Sequence, residues 1–116
     1  MCGIVGYIGL NKTINHSNKI IEDAIEKLNK RGPDAKGHFR DEFCEMGHAR
    51  LSIIDTSKNA NQPIYDKDQR YVLVYNGEIY NYLELKKELI SKNYTFKSNS
   101  DTEVFVPSNE NQNNQA

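Results

Sequence analysis

A chain of 116 residues with 15 basic and 16 acidic side chains has a formal net charge of -1, so it presents no electrostatic footprint for nucleic acid or for an anionic membrane. Its length suits one small domain rather than two. No apolar run approaches the roughly 18 residues of a membrane-spanning helix, and the start Met1-Cys2-Gly3-Ile4-Val5-Gly6 has no basic segment leading into an apolar one. These features predict a cytoplasmic protein acting on a small molecule. Cys2 and Cys44 are the only cysteines, too few for a disulfide framework and not spaced as the Cys-x-x-Cys of a zinc site.

Taken in chain order, Gly3 to Ile8 reads as a buried strand, because Ile4, Val5, Tyr7 and Ile8 are strand formers and Gly9 punctuates the end. A helix follows, capped by Ser17 or Asn18, with Ile20, Ile21, Ala24, Ile25 and Leu28 on one face and Lys27 to Pro33 closing it. From Lys36 to Ile54 short strands are expected, with Phe39, Phe43, Met46, Leu51, Ile53 and Ile54 turned inward. Asp55 to Gln62 is turn-like, Tyr71 to Tyr75 reads as a strand, and Asn76-Gly77 is a hairpin signal. A second helix starts at Asn81, with Glu84 in a capping-box position, Leu85 and Leu89 as its apolar stripe, and Asn93 closing it. Tyr94 to Lys97 is a strand, and Ser100-Asp101-Thr102-Glu103 is another capping-box match. Residues 2–106 are thus expected to form the domain. The Asn/Gln-rich stretch 107–116, which opens on Pro107, is expected to be disordered. Strands mixed with two helices give an α+β layered fold.

Cysteine at position 2 has a chemical use. A small side chain after the initiator permits trimming of Met1, after which one residue carries both a thiol, pKa about 8.5, and a free α-amine, pKa about 7.7–8.0. Near neutral pH the amine can take the thiol proton as attack begins, and no histidine is needed as base. Alone, such a cysteine is more often incidental. So are a turn at Asn76-Gly77, a surface cation at Arg50 and a helix cap at Asp101. The set is informative where its members are not. Cys2-Gly3-Ile4-Val5-Gly6, Arg31-Gly32-Pro33-Asp34, the run Gly47-His48-Ala49-Arg50-Leu51-Ser52-Ile53-Ile54-Asp55, and Tyr75-Asn76-Gly77-Glu78-Ile79-Tyr80-Asn81 occur in this order. Together they resemble the class II glutamine amidotransferases, most closely the asparagine synthetases, over about residues 2 to 104.

The resemblance implies an N-terminal-nucleophile fold, a four-layer αββα sandwich that is incomplete here on its C-terminal side. It implies Cys2 as nucleophile and Asn76 with the Gly77 N–H as oxyanion donors. L-Glutamine would be held through Arg50 on its α-carboxylate and Asp101 on its α-ammonium, with Leu51, Ile53 and Glu78 lining the pocket. Glutamine hydrolysis needs no cofactor. ATP and Mg²⁺ belong to the family's synthetase domain, which this sequence lacks, so the expected partner is such a domain or a completing chain. The alternatives are a split subunit, a catalytically inactive truncated remnant, or an N-terminal-nucleophile acylase for another amide; the pairing of Arg50 with Asp101 speaks against the last. Cys44 reads as a small hydrophobe, His16, His38 and His48 as structural, and Tyr80 and Tyr82 as packing residues.

Overall fold

In the computed structural model, which describes residues 2–10, 19–52 and 55–109, the organising strand is β3 (Cys44–Arg50). It lies between β1 (Gly3–Ile8) and β2 (Ala35–Arg40), antiparallel to both. The register opposes Val5 to Gly47 and Ile4 to His48, so odd positions of β1 and β3 share one face and even positions the other. Helix α1 (Ile20–Lys27) lies on the odd face. Its buried Ile21 and Ile25 carry the periodicity seen in the sequence, and Ile25 packs directly on Gly47. A single 3₁₀ turn, Leu28–Lys30, ends it before Gly32.

On the even face lies the segment that includes β4 (Ile64–Tyr65) and β5 (Val72–Leu73), an antiparallel pair. Phe39 of β2 meets Tyr65 at 6.2 Å between ring centroids. Gly37 makes this approach possible, because a Cβ there would overlap the Gln62 carbonyl and crowd Pro63. Helix α2 (Tyr82–Ser91) follows, then β6 (Tyr94–Thr95), a 3₁₀ helix Asp101–Phe105 and β7 (Ser108–Asn109), which pairs with β6. The outcome is a mixed α/β arrangement with antiparallel sheets. Among the described residues no helix is long and apolar enough to cross a membrane.

Several expectations need correction. Among the described residues β1 is an edge strand rather than a buried one: α1 covers the Gly3 and Val5 side only, leaving Ile4 48% and Ile8 65% exposed. Ile20 and Phe43 face outward as well. Asn76-Gly77 does not turn a hairpin. The β4–β5 hairpin turns earlier, where Asp66 Oδ1 accepts the Tyr71 N–H at 2.8 Å and Gln69 takes φ 54°. Asn81 makes no side-chain cap bond, whereas Asn93, at φ 68°, closes α2 as expected. The strands expected at 71–75 and 94–97 shrink to two residues each. Ser108–Asn109, placed by the sequence in a disordered tail, pair with β6. The rest of that tail, and the expected caps Ser17 and Asn18, lie outside the described residues.

The buried set is more polar than apolar. Ile21, Ile25, Ala49 and Ala60 are its hydrophobic members, beside Glu45, His48, Arg50, Gln62, Asp101 and Glu103. Buried charges require partners, and these have them. Glu45 receives His38 Nε2 at 2.7 Å and Arg40 Nη2 at 3.0 Å. Glu103 accepts the Lys97 and Ser98 N–H groups at 2.6 and 2.8 Å, and the Ser98 hydroxyl as well.

Candidate active site

Every residue expected at the site except Ile53, which lies outside the described residues, lines one cavity of about 340 Å³: Cys2, Arg50, Leu51, Asn76, Gly77, Glu78 and Asp101. The sheet register explains half of this convergence. Pairing of Gly3 with Ala49 sets Cys2 beside the end of β3, where the Leu51 N–H points at Cys2 Sγ over 3.4 Å. Cys2 Sγ in turn lies 3.7 Å from the Leu51 carbonyl oxygen. The Arg31-Gly32-Pro33-Asp34 segment braces the same corner. Asp34 N–H donates to the Arg50 carbonyl at 2.9 Å, Asp34 Oδ2 accepts the Ser52 N–H at 2.7 Å, and Arg31 Nε reaches the Cys2 carbonyl at 3.4 Å. Only glycine fits at position 32, because a Cβ would overlap the Ala49 carbonyl.

Arg50 is no surface cation. It is 7% exposed, and its Nη1 donates to the Ser57 carbonyl at 2.7 Å and to Asn61 Oδ1 at 2.5 Å. Both contacts run through one guanidinium nitrogen, on a group with five donors to offer. Asp101 is not the helix cap either. Ser100 Oγ fills that role by accepting the Thr102 N–H at 3.3 Å, while Asp101 Oδ2 accepts the Ile79 N–H at 2.8 Å. That bond ties the Glu78-Ile79 peptide to the acidic wall.

Asp55, Gln62, Tyr75, Ser100 and Thr102 also line the cavity, and sequence reasoning missed them. Asp55 closes the quoted Arg50-to-Asp55 run, the one signal that could have found it. Its carboxylate accepts the Ser57 N–H and, across 44 residues of chain, the Asn99 N–H, each at 2.7 Å. The Ser57 side chain chiefly, then these N–H groups, hold its pKa down to about 2 from 3.8. A folded-state pKa below the unfolded value gives stability that is present above pH 4 and is lost as pH falls toward about 2. Asp55→Asn should therefore remove part of the acid sensitivity. In urea unfolding, the gap between wild-type and Asp55→Asn midpoints should be constant above about pH 5 and close between about pH 4 and 2. A gap independent of pH would contradict the assignment.

Tyr80 is a correction: 88% exposed and on the cavity rim, it is not a packing residue. Cys44 keeps its inert reading, since burial, then Asp41 and Glu45, push its thiol pKa up. Among the described residues no group of three His, Cys, Asp or Glu is placed to hold a metal ion.

Residues 1–115 match the glutamine amidotransferase domain family. The chain is 44% identical over 110 residues to asparagine synthetase (glutamine-hydrolysing) 1 of Bacillus subtilis, covering 91% of this chain and 17% of that protein. It is 39% identical over 106 residues to the Zea mays asparagine synthetase and 36% identical over 106 residues to enzyme 1 of Arabidopsis thaliana. Each of these plant alignments covers 91% of this chain and 18% of the relative. The chain thus spans less than a fifth of the length of these curated relatives.

Proposed function

Because the chain belongs to the glutamine amidotransferase domain family, we propose that it hydrolyses glutamine to glutamate and ammonia, as the glutaminase part of an asparagine-synthetase-like enzyme. The observation that carries this reading is the single cavity joining the Cys2 thiol to Arg50, Asn76, Gly77 and Asp101. Free glutamine has an anionic end, a cationic end and a neutral side-chain amide, and the cavity has a cation, an acid and a nucleophile on its walls.

In this mechanism Met1 is removed and the α-amine of Cys2 accepts the thiol proton as sulfur attacks the side-chain amide carbon. Oxyanion charge is met by the Asn76 side chain and the Gly77 N–H. The ammonium then returns its proton to the leaving nitrogen, the C–N bond breaks, and ammonia departs from a Cys2 thioester. Water, deprotonated by the same amine, attacks the thioester and releases glutamate and the thiol. Arg50 holds the substrate carboxylate and Asp101 its ammonium, while Leu51 and Glu78 shape the walls around them. No step here calls for a cofactor. Ammonia would be passed to a synthetase domain using ATP and Mg²⁺ to make asparagine, and the completed fold would be the four-layer αββα sandwich.

Incubation with 6-diazo-5-oxo-L-norleucine, a glutamine-shaped electrophile, tests the reading by peptide mapping and intact mass. Label is expected on Cys2 in a species lacking Met1. Label mainly on Cys44, or on a species that retains Met1, would overturn it. The exposed apolar side chains of β1, Ile4 and Ile8, favour a second reading in which a partner chain must cover this edge before the site turns over. Label on Cys2 with ammonia release appearing only on addition of that partner would mark it.

A further inference from the structure

Tyr75 stands immediately before the two oxyanion donors, and two buried side chains from elsewhere in the fold hold its peptide groups. Gln62 Oε1 accepts the Tyr75 N–H at 2.5 Å, and His48 Nε2 lies 3.3 Å from the Tyr75 carbonyl oxygen. A carbonyl can only accept, so His48 is the Nε2–H tautomer. His48 is fully buried on β3, its Nδ1 has no hydrogen-bond partner among the described residues, and Gln62 is 8% exposed. From this bracket we infer that His48 and Gln62 are positioning residues of the oxyanion site, fixing the two peptide planes that precede Gly77 so that Asn76 and the Gly77 N–H face the reacting carbon. The inference rests on the glutaminase reading given above.

The geometry divides the work. The Gln62 bond fixes the plane between Val74 and Tyr75, and the His48 bond fixes the plane between Tyr75 and Asn76. The next plane, between Asn76 and Gly77, carries the N–H offered to the oxyanion. Burial lowers the pKa of His48, with the charge of Arg50 acting in the same direction, which keeps the ring in its neutral donor form. Gly37 completes the arrangement, since the close approach it permits brings the Gln62 backbone onto the sheet. A donor site is useful only if held within a fraction of an ångström, and the segment 76–81 between Tyr75 and α2 has no strand pairing of its own.

Paired substitutions test this on the full chain. His48→Leu removes the donor, whereas His48→Gln returns an N–H at a similar reach. Gln62→Met removes the acceptor at similar volume, whereas Gln62→Glu retains one. The donor- or acceptor-less member of each pair should lose about 10–100-fold in kcat with KM within about threefold, and its partner should recover most of the loss. Amide hydrogen exchange at Asn76 and Gly77 should rise about tenfold or more in His48→Leu and in Gln62→Met, and less in their partners. Should His48→Leu fail to fold, the Gln62 pair decides. Wild-type kcat in Gln62→Met, equal loss within each pair, or a change in KM alone would overturn the inference. If wild-type protein neither releases ammonia above a Cys2→Ala blank nor takes the 6-diazo-5-oxo-L-norleucine label on Cys2, the glutaminase reading fails, and unaltered exchange at Asn76 and Gly77 would separately refute the bracket.

Discussion

Glutamine hydrolysis by Asn76→Ala is expected to fall about 10²–10³-fold in kcat, with much less change in KM. In the proposed mechanism the side-chain amide of Asn76 has little to do for the neutral ground-state amide and much to do for the oxyanion. Its removal therefore subtracts from the transition state alone. Asn76 is solvent-exposed at the cavity wall, so shortening it leaves no buried hole and the fold should survive. An unchanged unfolding midpoint is part of the expected result. Steady-state kinetics on Met1-trimmed protein checks it, and a variant with wild-type kcat would remove Asn76 from the oxyanion site.

Arg50→Lys is expected to fail in binding and in stability together. The guanidinium is planar and forked, so one nitrogen can hold the Ser57 carbonyl and Asn61 Oδ1 while its others meet a carboxylate. An ammonium on a flexible stem cannot hold both sets in one geometry. Glutamine affinity should drop by about 10–100-fold, and loss of one charge-assisted hydrogen bond to the 57–61 loop should cost about 1.5–3 kcal/mol of stability. Glutamine titration and urea unfolding measure the two parts. Affinity and midpoint both at wild-type values would show that Arg50 neither binds substrate nor anchors the loop.

Much of this was legible in sequence where the information is local. The spacing of Ile21 and Ile25 gave α1, and the residues expected at the site from the motifs, Ile53 apart, line one cavity. What escaped depends on long-range geometry. Whether β1 is central or at an edge is decided by strand order, which composition does not encode, so Ile4 and Ile8 looked like core. Asn76-Gly77 looked like a hairpin because the turn preference of the pair is real, yet the bonds from His48 and Gln62 hold the preceding residue for another use. Those bonds join residues 27 and 13 positions apart, and no periodicity marks them. Asp55 escaped similarly: its bond to Asn99 spans 44 positions.

The edge position of β1 also bears on maturation. An aminopeptidase must draw the first residues of its substrate, extended, into its own active site, and a terminus leading into a central strand would resist this until the sheet opened. Among the described residues the strand that follows Cys2 is paired on one side only, with β3. Releasing its first residues breaks one row of hydrogen bonds and leaves the β2–β3 hairpin intact. The removal of Met1 on which the proposed mechanism depends is thus compatible with an already folded chain, and under that proposal trimming would act after folding as a switch from precursor to enzyme.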